Sequence, residues 1–123
     1  MEQKPDQSFR PADRLRKSHE IESVLKKGNK VRGKYLVLYG LANSLGHPRL
    51  GRVISKRWGN AVRRNRIRRW LREVFRRHKS TIHAMDLVVL LHSNHQFSYQ
   101  RISDDFLQLA ERMKHKINCM PAE

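Results

Sequence analysis

The chain has 123 residues, enough for one domain with its own hydrophobic core and too few for two. Its 27 Lys and Arg residues against 11 Asp and Glu give a formal net charge of +16, which points to a polyanionic partner: nucleic acid first, an anionic membrane surface second. The 38% of hydrophobic residues lie in coherent segments, which argues against full disorder, and a single cysteine excludes an internal disulfide.

The composition of the two ends of the chain predicts flexible tails. The first eight residues are polar and include Pro5, and the last seven follow the final helical pattern. We expect one domain over 9–116, with flexible tails at 1–8 and 117–123. Because no apolar run suits a signal peptide or a membrane span, we expect a cytoplasmic protein without a membrane partner.

The first half of the chain predicts one helix followed by strands. In the segment 14–28, apolar residues recur at helical spacing and Gly28 is a natural stop. The segment 34–43 is rich in β-branched and aromatic residues and predicts a strand. The segment 49–55 predicts a second strand, which returns after the turn at 46–48.

The segment 61–79 predicts an amphipathic helix with one densely cationic face. On a helical wheel its apolar residues share an arc of roughly 140°; they are Ile67, Trp70, Leu71, Val74 and Phe75. The segment from Lys56 to Lys79 contains eleven basic residues and a single acidic residue, Glu73, so ten of the sixteen net positive charges lie in this segment. A solvated face normally carries Glu at i, i+4 to relieve repulsion, so a phosphate backbone is the favoured partner, with a solvated face and a membrane-lying helix as alternatives.

The second half adds a strand and a helix. The apolar run at 85–91 predicts a central strand that is buried on both faces. From Tyr99 onward, apolar residues repeat at helical spacing. The order helix, two or three strands, helix, strand, helix indicates an α+β fold.

The sequence offers no catalytic set of its own. We find no nucleophile with a neighbouring base, no phosphate-cradling glycine loop and no paired carboxylates. Asp104 and Asp105 would point apart on a helix, and the pair His92 and His95 has no cysteine or acidic cluster beside it, so we expect no catalytic, cofactor or metal site in the protein. If the chain takes part in catalysis, another molecule supplies the reactive groups.

The stretch RLGRVISKRWGNAVRRNRIRRWLREVFR resembles the signature of the bacterial ribonuclease P protein component. The matching features are a Ser-Lys-Arg turn at 55–57, Gly59, Ala61, the Arg-Asn-Arg run at 64–66, the basic pair at 68–69, and Arg-Glu at 72–73. The surrounding segments follow the family's order over about four fifths of the chain.

The resemblance implies an α/β sandwich with a four-stranded sheet and three helices, the ribosomal-protein-like fold. It also implies a left-handed β-α-β crossover through the Arg-Asn-Arg helix, whereas general topology rules favour the right-handed form in about 98% of cases.

The function implied by the resemblance is removal of the 5′ leader from precursor tRNA by hydrolysis of one phosphodiester bond. The partners are the ribonuclease P RNA and precursor tRNA, and no other protein is required. The RNA subunit is the catalyst, and the Mg²⁺ cofactor is bound mainly by that RNA.

Two surfaces are implied. The expected RNA-subunit surface consists of Lys56, Arg57, Asn60, Arg64, Asn65, Arg66, Arg68, Arg69, Arg72 and Arg76. The expected leader cleft lies between the first helix and the sheet, where Tyr39 matches an aromatic platform and Ile21 and Leu25 stand where phenylalanines are usual. Arg52 replaces a usual apolar residue, and we expect it to add a phosphate contact to this cleft. Each of Ile21, Leu25 and Tyr39 could instead be core.

Two other functions stay open at this point. One is a structural RNA-binding protein of ribosomal type with no role in cleavage, and the other is a stand-alone nuclease. A lack of active-site residues does not separate the ribonuclease P subunit from the structural protein.

Overall fold

A computed structural model describes residues 9–92 and 97–118 of the chain. The helices are α1 (Ser18–Lys27), α2 (Ala61–His78) and α3 (Tyr99–Asn118), and the strands are β1 (Asn29–Arg32), β2 (Leu36–Ala42), β3 (Arg49–Val53) and β4 (Met85–Leu91). The expected tail at 1–8 and His95 lie outside the described residues. At the other end, α3 continues through Asn118 into the range expected as a tail.

The first helix begins later than its apolar spacing predicts. It starts at Ser18, because the residues before it run alongside β3 instead. The Leu15 N–H donates to the Leu50 carbonyl at 3.0 Å, and Arg14 bridges Leu50 in a parallel sense. An extended segment therefore covers the outer edge of β3.

The sheet has the strand order β1-β2-β4-β3. Strand β4 pairs with β2 antiparallel and with β3 parallel, so β2 and β3, neighbours in sequence, do not pair with each other. The prediction that β4 is a central, buried strand is confirmed. Strand β1 was not predicted as a separate element, because only Val31 of its four residues is buried.

The two faces of the sheet carry different helices. Odd-numbered residues of β4, such as Leu87 and Val89, pack with α2 and α3 in the main core. The even-numbered Val88 faces the other way and packs with Leu15 and with Val24 of α1. The expected α+β sandwich with three helices is thus confirmed, with α1 alone on one face.

The crossover from β3 through α2 to β4 is left-handed. The Leu50 side chain packs on the α2 side, while its carbonyl points to Leu15, away from β4. When a strand of L-residues is viewed with its C-terminal end at the top, a residue whose side chain points toward the viewer has its C=O pointing to the viewer's right. Seen from α2, β4 therefore lies to the left of β3, which is the hand implied by the family resemblance.

Asp105 ties α3 to the connection between β1 and β2. Its buried carboxylate accepts the backbone N–H groups of Lys34 at 3.0 Å, Tyr35 at 3.0 Å and Leu36 at 2.9 Å. Gly33 lies so close that a Cβ there would stand 2.5 Å from Asp105 Oδ1. The start of β2 is therefore fixed by one side chain from α3.

Candidate nucleic-acid interface

The turn before α2 presents two cations and then redirects the chain. In the 3₁₀ turn Lys56–Trp58, Trp58 is buried, while Lys56 and Arg57 are exposed. Gly59 follows with φ 128°, a conformation that favours glycine. The Asn60 side chain then accepts the Arg63 N–H at 2.9 Å and caps the first turn of the helix.

The apolar face of α2 packs against the sheet and α3. Ile67, Leu71, Val74 and Phe75 are each no more than 1% exposed, as the wheel predicts. Trp70 is only partly buried, so its ring lies at the margin of the core. With its apolar side fixed in this way, α2 turns its arginines outward.

The opposite face of α2 is the expected RNA-subunit surface. We call the ten residues of that expectation the α2 surface; they are Lys56, Arg57, Asn60, Arg64, Asn65, Arg66, Arg68, Arg69, Arg72 and Arg76. All of them are exposed or half-buried, and they follow one another along the turn and the helix. The geometry leaves their polar ends accessible.

Several members of the α2 surface also hold one another in place. Asn65 Oδ1 accepts from Arg68 Nη1 at 3.1 Å, and the other terminal nitrogen of Arg68 donates to the Ile54 carbonyl at 3.3 Å. The Arg64 Nε donates to the Gly59 carbonyl at 3.2 Å. Because these guanidiniums keep further N–H donors, a ligand can still be bound by groups that are already oriented.

Glu73 neutralises only part of this charge. Arg76 Nη2 donates to its carboxylate at 2.7 Å, and Arg77 Nε lies 3.7 Å away. The hydrogen bond from Arg76 lowers the pKa of Glu73, with further contributions from the charges of Arg76, Arg77 and Arg72. Glu73 is therefore ionised at neutral pH, yet it engages one end of the surface and leaves the rest cationic.

A second surface lies on the far face of the sheet, beside α1. Ile21 and Leu25 of α1 come together with Tyr39 of β2 around Val24 and Val88, and all three are half-buried. We call the surface formed by Ile21, Leu25 and Tyr39, where the sequence predicts a leader cleft, the α1 cleft. The Lys30 Nζ lies 5.7 Å from the centre of the Tyr39 ring, so a cation accompanies the aromatic face.

The structure does not bring Arg52 into the α1 cleft, which corrects the expectation from the sequence. Strand alternation puts Arg52 on the same face as Leu50, towards α2. Its Nη1 donates to the carbonyl of Arg68 at 3.0 Å. The sheet therefore separates Arg52 from Tyr39.

A charge network that was not predicted ties α1 to the sheet. Arg49 binds Asp86 of β4 through two hydrogen bonds, at 2.9 and 2.8 Å, and its Nη1 lies 2.9 Å from Glu20 of α1. The hydrogen bonds that Arg49 donates to Asp86, aided by the one it donates to Glu20, raise the pKa of Arg49. The three residues are far apart in sequence, so no local pattern indicated the network.

The described residues do not form a protein-held metal centre. Across the described part of the chain, no three His, Cys, Asp or Glu side chains gather closely enough to hold a metal ion. The carboxylates of Glu20 and Asp86 are both engaged by Arg49. Within the same residues, every helix is too short or too polar to cross a bilayer.

Comparison with known proteins assigns the family. A sequence profile of the family Ribonuclease P matches residues 9–114. The chain belongs to the ribonuclease P protein component family. The ribonuclease P protein component of a Thermotoga species is 33% identical over 108 residues, which cover 87% of this chain and 91% of that protein.

Solved ribonuclease P proteins share the fold. The Staphylococcus aureus protein superposes with a TM-score of 0.77 at 34% identity, covering 83% of this chain and 95% of that one. The Thermotoga maritima protein, solved in complex with 1-(4-fluorophenyl)-2-thiourea, gives a TM-score of 0.76 at 31% identity, covering 80% and 98%. Family membership makes the chain a protein subunit of ribonuclease P, an endoribonuclease of tRNA processing, with the ribonuclease P RNA as its partner.

Proposed function

We propose that the chain binds the ribonuclease P RNA through the α2 surface and holds the 5′ leader of precursor tRNA in the α1 cleft. In this way it assists the cleavage that produces the mature 5′ end. The observation that carries the proposal is the exposed cationic face of α2, which Glu73 neutralises at one end.

The α2 surface has the chemistry that binds an RNA backbone. Arginine forks bind phosphate oxygens in pairs and stay charged at any physiological pH. At 1.5 Å per residue, the 18 residues of α2 span about 27 Å, enough to follow several successive phosphates. The hydrogen bonds that Arg68 donates to Asn65 and that Arg64 donates to the Gly59 carbonyl orient the guanidiniums before binding.

The α1 cleft has the chemistry that binds a single strand of any sequence. The Tyr39 ring offers a stacking platform, Ile21 and Leu25 shield a base from water, and Lys30 can contact the backbone beside it. The aliphatic residues stack poorly, so we expect Tyr39 to contribute most of the base contact.

Cleavage itself we assign to the RNA subunit with its bound Mg²⁺. The described residues offer no group of three possible ligands for a resident divalent cation, and the Glu20 and Asp86 carboxylates are both engaged by Arg49. The chain's own contribution is to position RNA and leader, and to screen the phosphate charge that would otherwise repel the two RNAs from each other.

A cleavage assay at low Mg²⁺ tests the proposal. A bacterial ribonuclease P RNA is incubated with precursor tRNA, with and without the protein, and release of the leader is measured. We expect the protein to stimulate cleavage by the RNA and to produce none by itself. RNA binding without stimulation would favour the structural RNA-binding protein, and cleavage by protein alone would favour the stand-alone nuclease.

The salt dependence of binding tests the α2 surface directly. Arg69→Ala should weaken binding of the RNA subunit and reduce the slope of log affinity against log salt by about 0.7–0.9, the value of one phosphate. Lys27→Gln, at an exposed lysine of α1, is the matched control and should leave the slope unchanged. An unaltered slope for Arg69→Ala would show that this residue does not contact RNA.

A further inference from the structure

Four arginines lie near one another at the outer edge of β3, and within the described part of the chain none of them forms an ion pair with a carboxylate. Arg14 comes from the extended segment before α1, Arg52 from β3, and Arg68 and Arg72 from α2. We call these four residues the arginine cluster. Burial, and then repulsion from Arg72, Arg14 and Arg68, lowers the pKa of Arg52 to about 10, so it is still a cation at neutral pH.

A phenyl ring positions two of these cations. The Cζ of Arg14 lies 5.3 Å and that of Arg52 5.4 Å from the centre of the Phe9 ring. Phe9 is itself packed edge-on against Phe75 of α2, with the ring centres 5.7 Å apart. The ring therefore anchors both guanidiniums to the core and stabilises them by cation–π attraction.

The N–H groups of the arginine cluster outnumber the acceptors that the described residues provide for them. Arg52 donates to the Arg68 carbonyl and keeps other N–H groups available. The Nε of Arg14 is buried and has no hydrogen-bond partner among the described residues. The carboxylate that Arg72 influences, Glu73, is bonded to Arg76 instead.

An anion explains this arrangement better than a packing role does. A buried donor without an acceptor costs free energy, and like charges at short range repel. An apolar residue at position 52 would remove the repulsion that Arg52 adds and would continue the pattern of Leu50 and Ile54, which face the same side. Since the cluster adjoins the α2 surface through Arg68 and Arg72, a phosphate of the same RNA is the fitting ligand.

We propose that Arg14, Arg52 and Arg72 bind one phosphodiester of the RNA that contacts α2, with Phe9 as the positioning residue. This subsite extends the α2 surface across the edge of β3 to the segment before α1. It rests on the proposed function, since the RNA is taken to lie along α2. It also gives Arg52 a role on the face opposite the α1 cleft.

Salt-dependent binding of a bacterial ribonuclease P RNA tests the subsite. Arg52→Leu should reduce the slope of log affinity against log salt by about 0.7–0.9, so that the affinity lost between 50 and 200 mM salt shrinks by about threefold. Arg52→Lys keeps the positive charge but loses the bidentate guanidinium. This variant should therefore show the same salt dependence of RNA binding with a lower affinity. Arg14→Met serves as a second, independent variant, and thermal melting checks that each variant is folded.

Double variants show whether one phosphate is shared. In the double variant Arg14→Met with Arg52→Leu, the slope of log affinity against log salt should fall by the value of one phosphate in total, about 0.7–0.9, because both side chains bind the same phosphate. In Arg52→Leu with Arg69→Ala it should fall by the value of two, because these residues bind different phosphates.

The outcomes separate the subsite from the proposed function. If Arg69→Ala lowers the slope while folded Arg52→Leu and Arg14→Met leave it unchanged, the subsite is wrong and the function stands. If the protein fails to stimulate cleavage while Arg52→Leu still lowers the slope, the function is wrong and the subsite stands. Additive losses for Arg14→Met and Arg52→Leu would overturn the single shared phosphate.

Discussion

Replacing Asp105 by Asn tests how firmly α3 holds the strand that carries Tyr39. The carboxylate of Asp105 accepts three backbone N–H groups, two at Oδ2 and one at Oδ1, and the residue is 7% exposed. An amide has one oxygen, which can still accept from Tyr35 and Leu36. Its NH₂ group then faces the Lys34 N–H, which loses its acceptor.

The expected loss follows from these three bonds. A hydrogen bond to a charged group contributes about 1.5–3 kcal/mol, and a neutral one roughly half as much. Losing one charged bond and halving two others gives a decrease of about 3–6 kcal/mol in the free energy of unfolding. Urea denaturation followed by tryptophan fluorescence measures it, and the m-value should not change.

The neighbouring carboxylate provides the matched control. Asp104 is exposed and accepts one hydrogen bond from Gln100 Nε2 at 2.8 Å. Asp104→Asn should therefore cost about 0.5 kcal/mol or less. If the two variants differed by less than about 1 kcal/mol, the N–H groups of residues 34–36 would have other acceptors and the reasoning would fail.

Three further predictions concern α2 and the two surfaces. Phe75→Ala should cost about 3–5 kcal/mol and half-buried Trp70→Ala clearly less, and the reverse order in thermal melting would contradict the packing described. Tyr39→Ala should weaken binding of precursor tRNA by about 1–3 kcal/mol while leaving mature tRNA unaffected in a filter-binding assay; equal losses for both would exclude a leader contact. Glu73→Gln should strengthen binding of the RNA subunit at low salt, because it removes a carboxylate that repels phosphate; weaker binding would show that the ion pair positions Arg76 for RNA.

Long, strongly periodic elements could be predicted from the sequence. The helix α2 was evident from its wheel, α3 begins at Tyr99 as expected, and β4 is the central strand that its apolar run indicates. Their signals are strong because many residues of one type fall on one face. A strand as short as β1, with Val31 as its one buried residue, carries no such signal.

What the sequence did not reveal depends on contacts between distant residues. Strand alternation shows that Arg52 shares a face of the sheet with Leu50, but it does not show which helix covers that face. The sequence therefore led us to expect Arg52 in the α1 cleft, whereas it lies on the α2 side. The partners of Arg49 lie 29 and 37 residues away in sequence. Likewise, nothing near Arg14 in the sequence shows that it meets Arg52 around a phenyl ring.

Strand β4, one of the two inner strands of the sheet, contributes side chains to the packing on both faces. Successive residues of β4 alternate between the two sides, with Leu87 and Val89 beneath α2 and Val88 beneath α1. A register shift of one residue in the pairing of β4 would exchange the side chains on its two faces. It would also place the Asp86 carboxylate in the hydrophobic core beneath α2 and α3. Such a shift would therefore disrupt the packing of α1 and of α2 on the sheet at the same time, so the α1 cleft and the α2 surface depend on the same strand register.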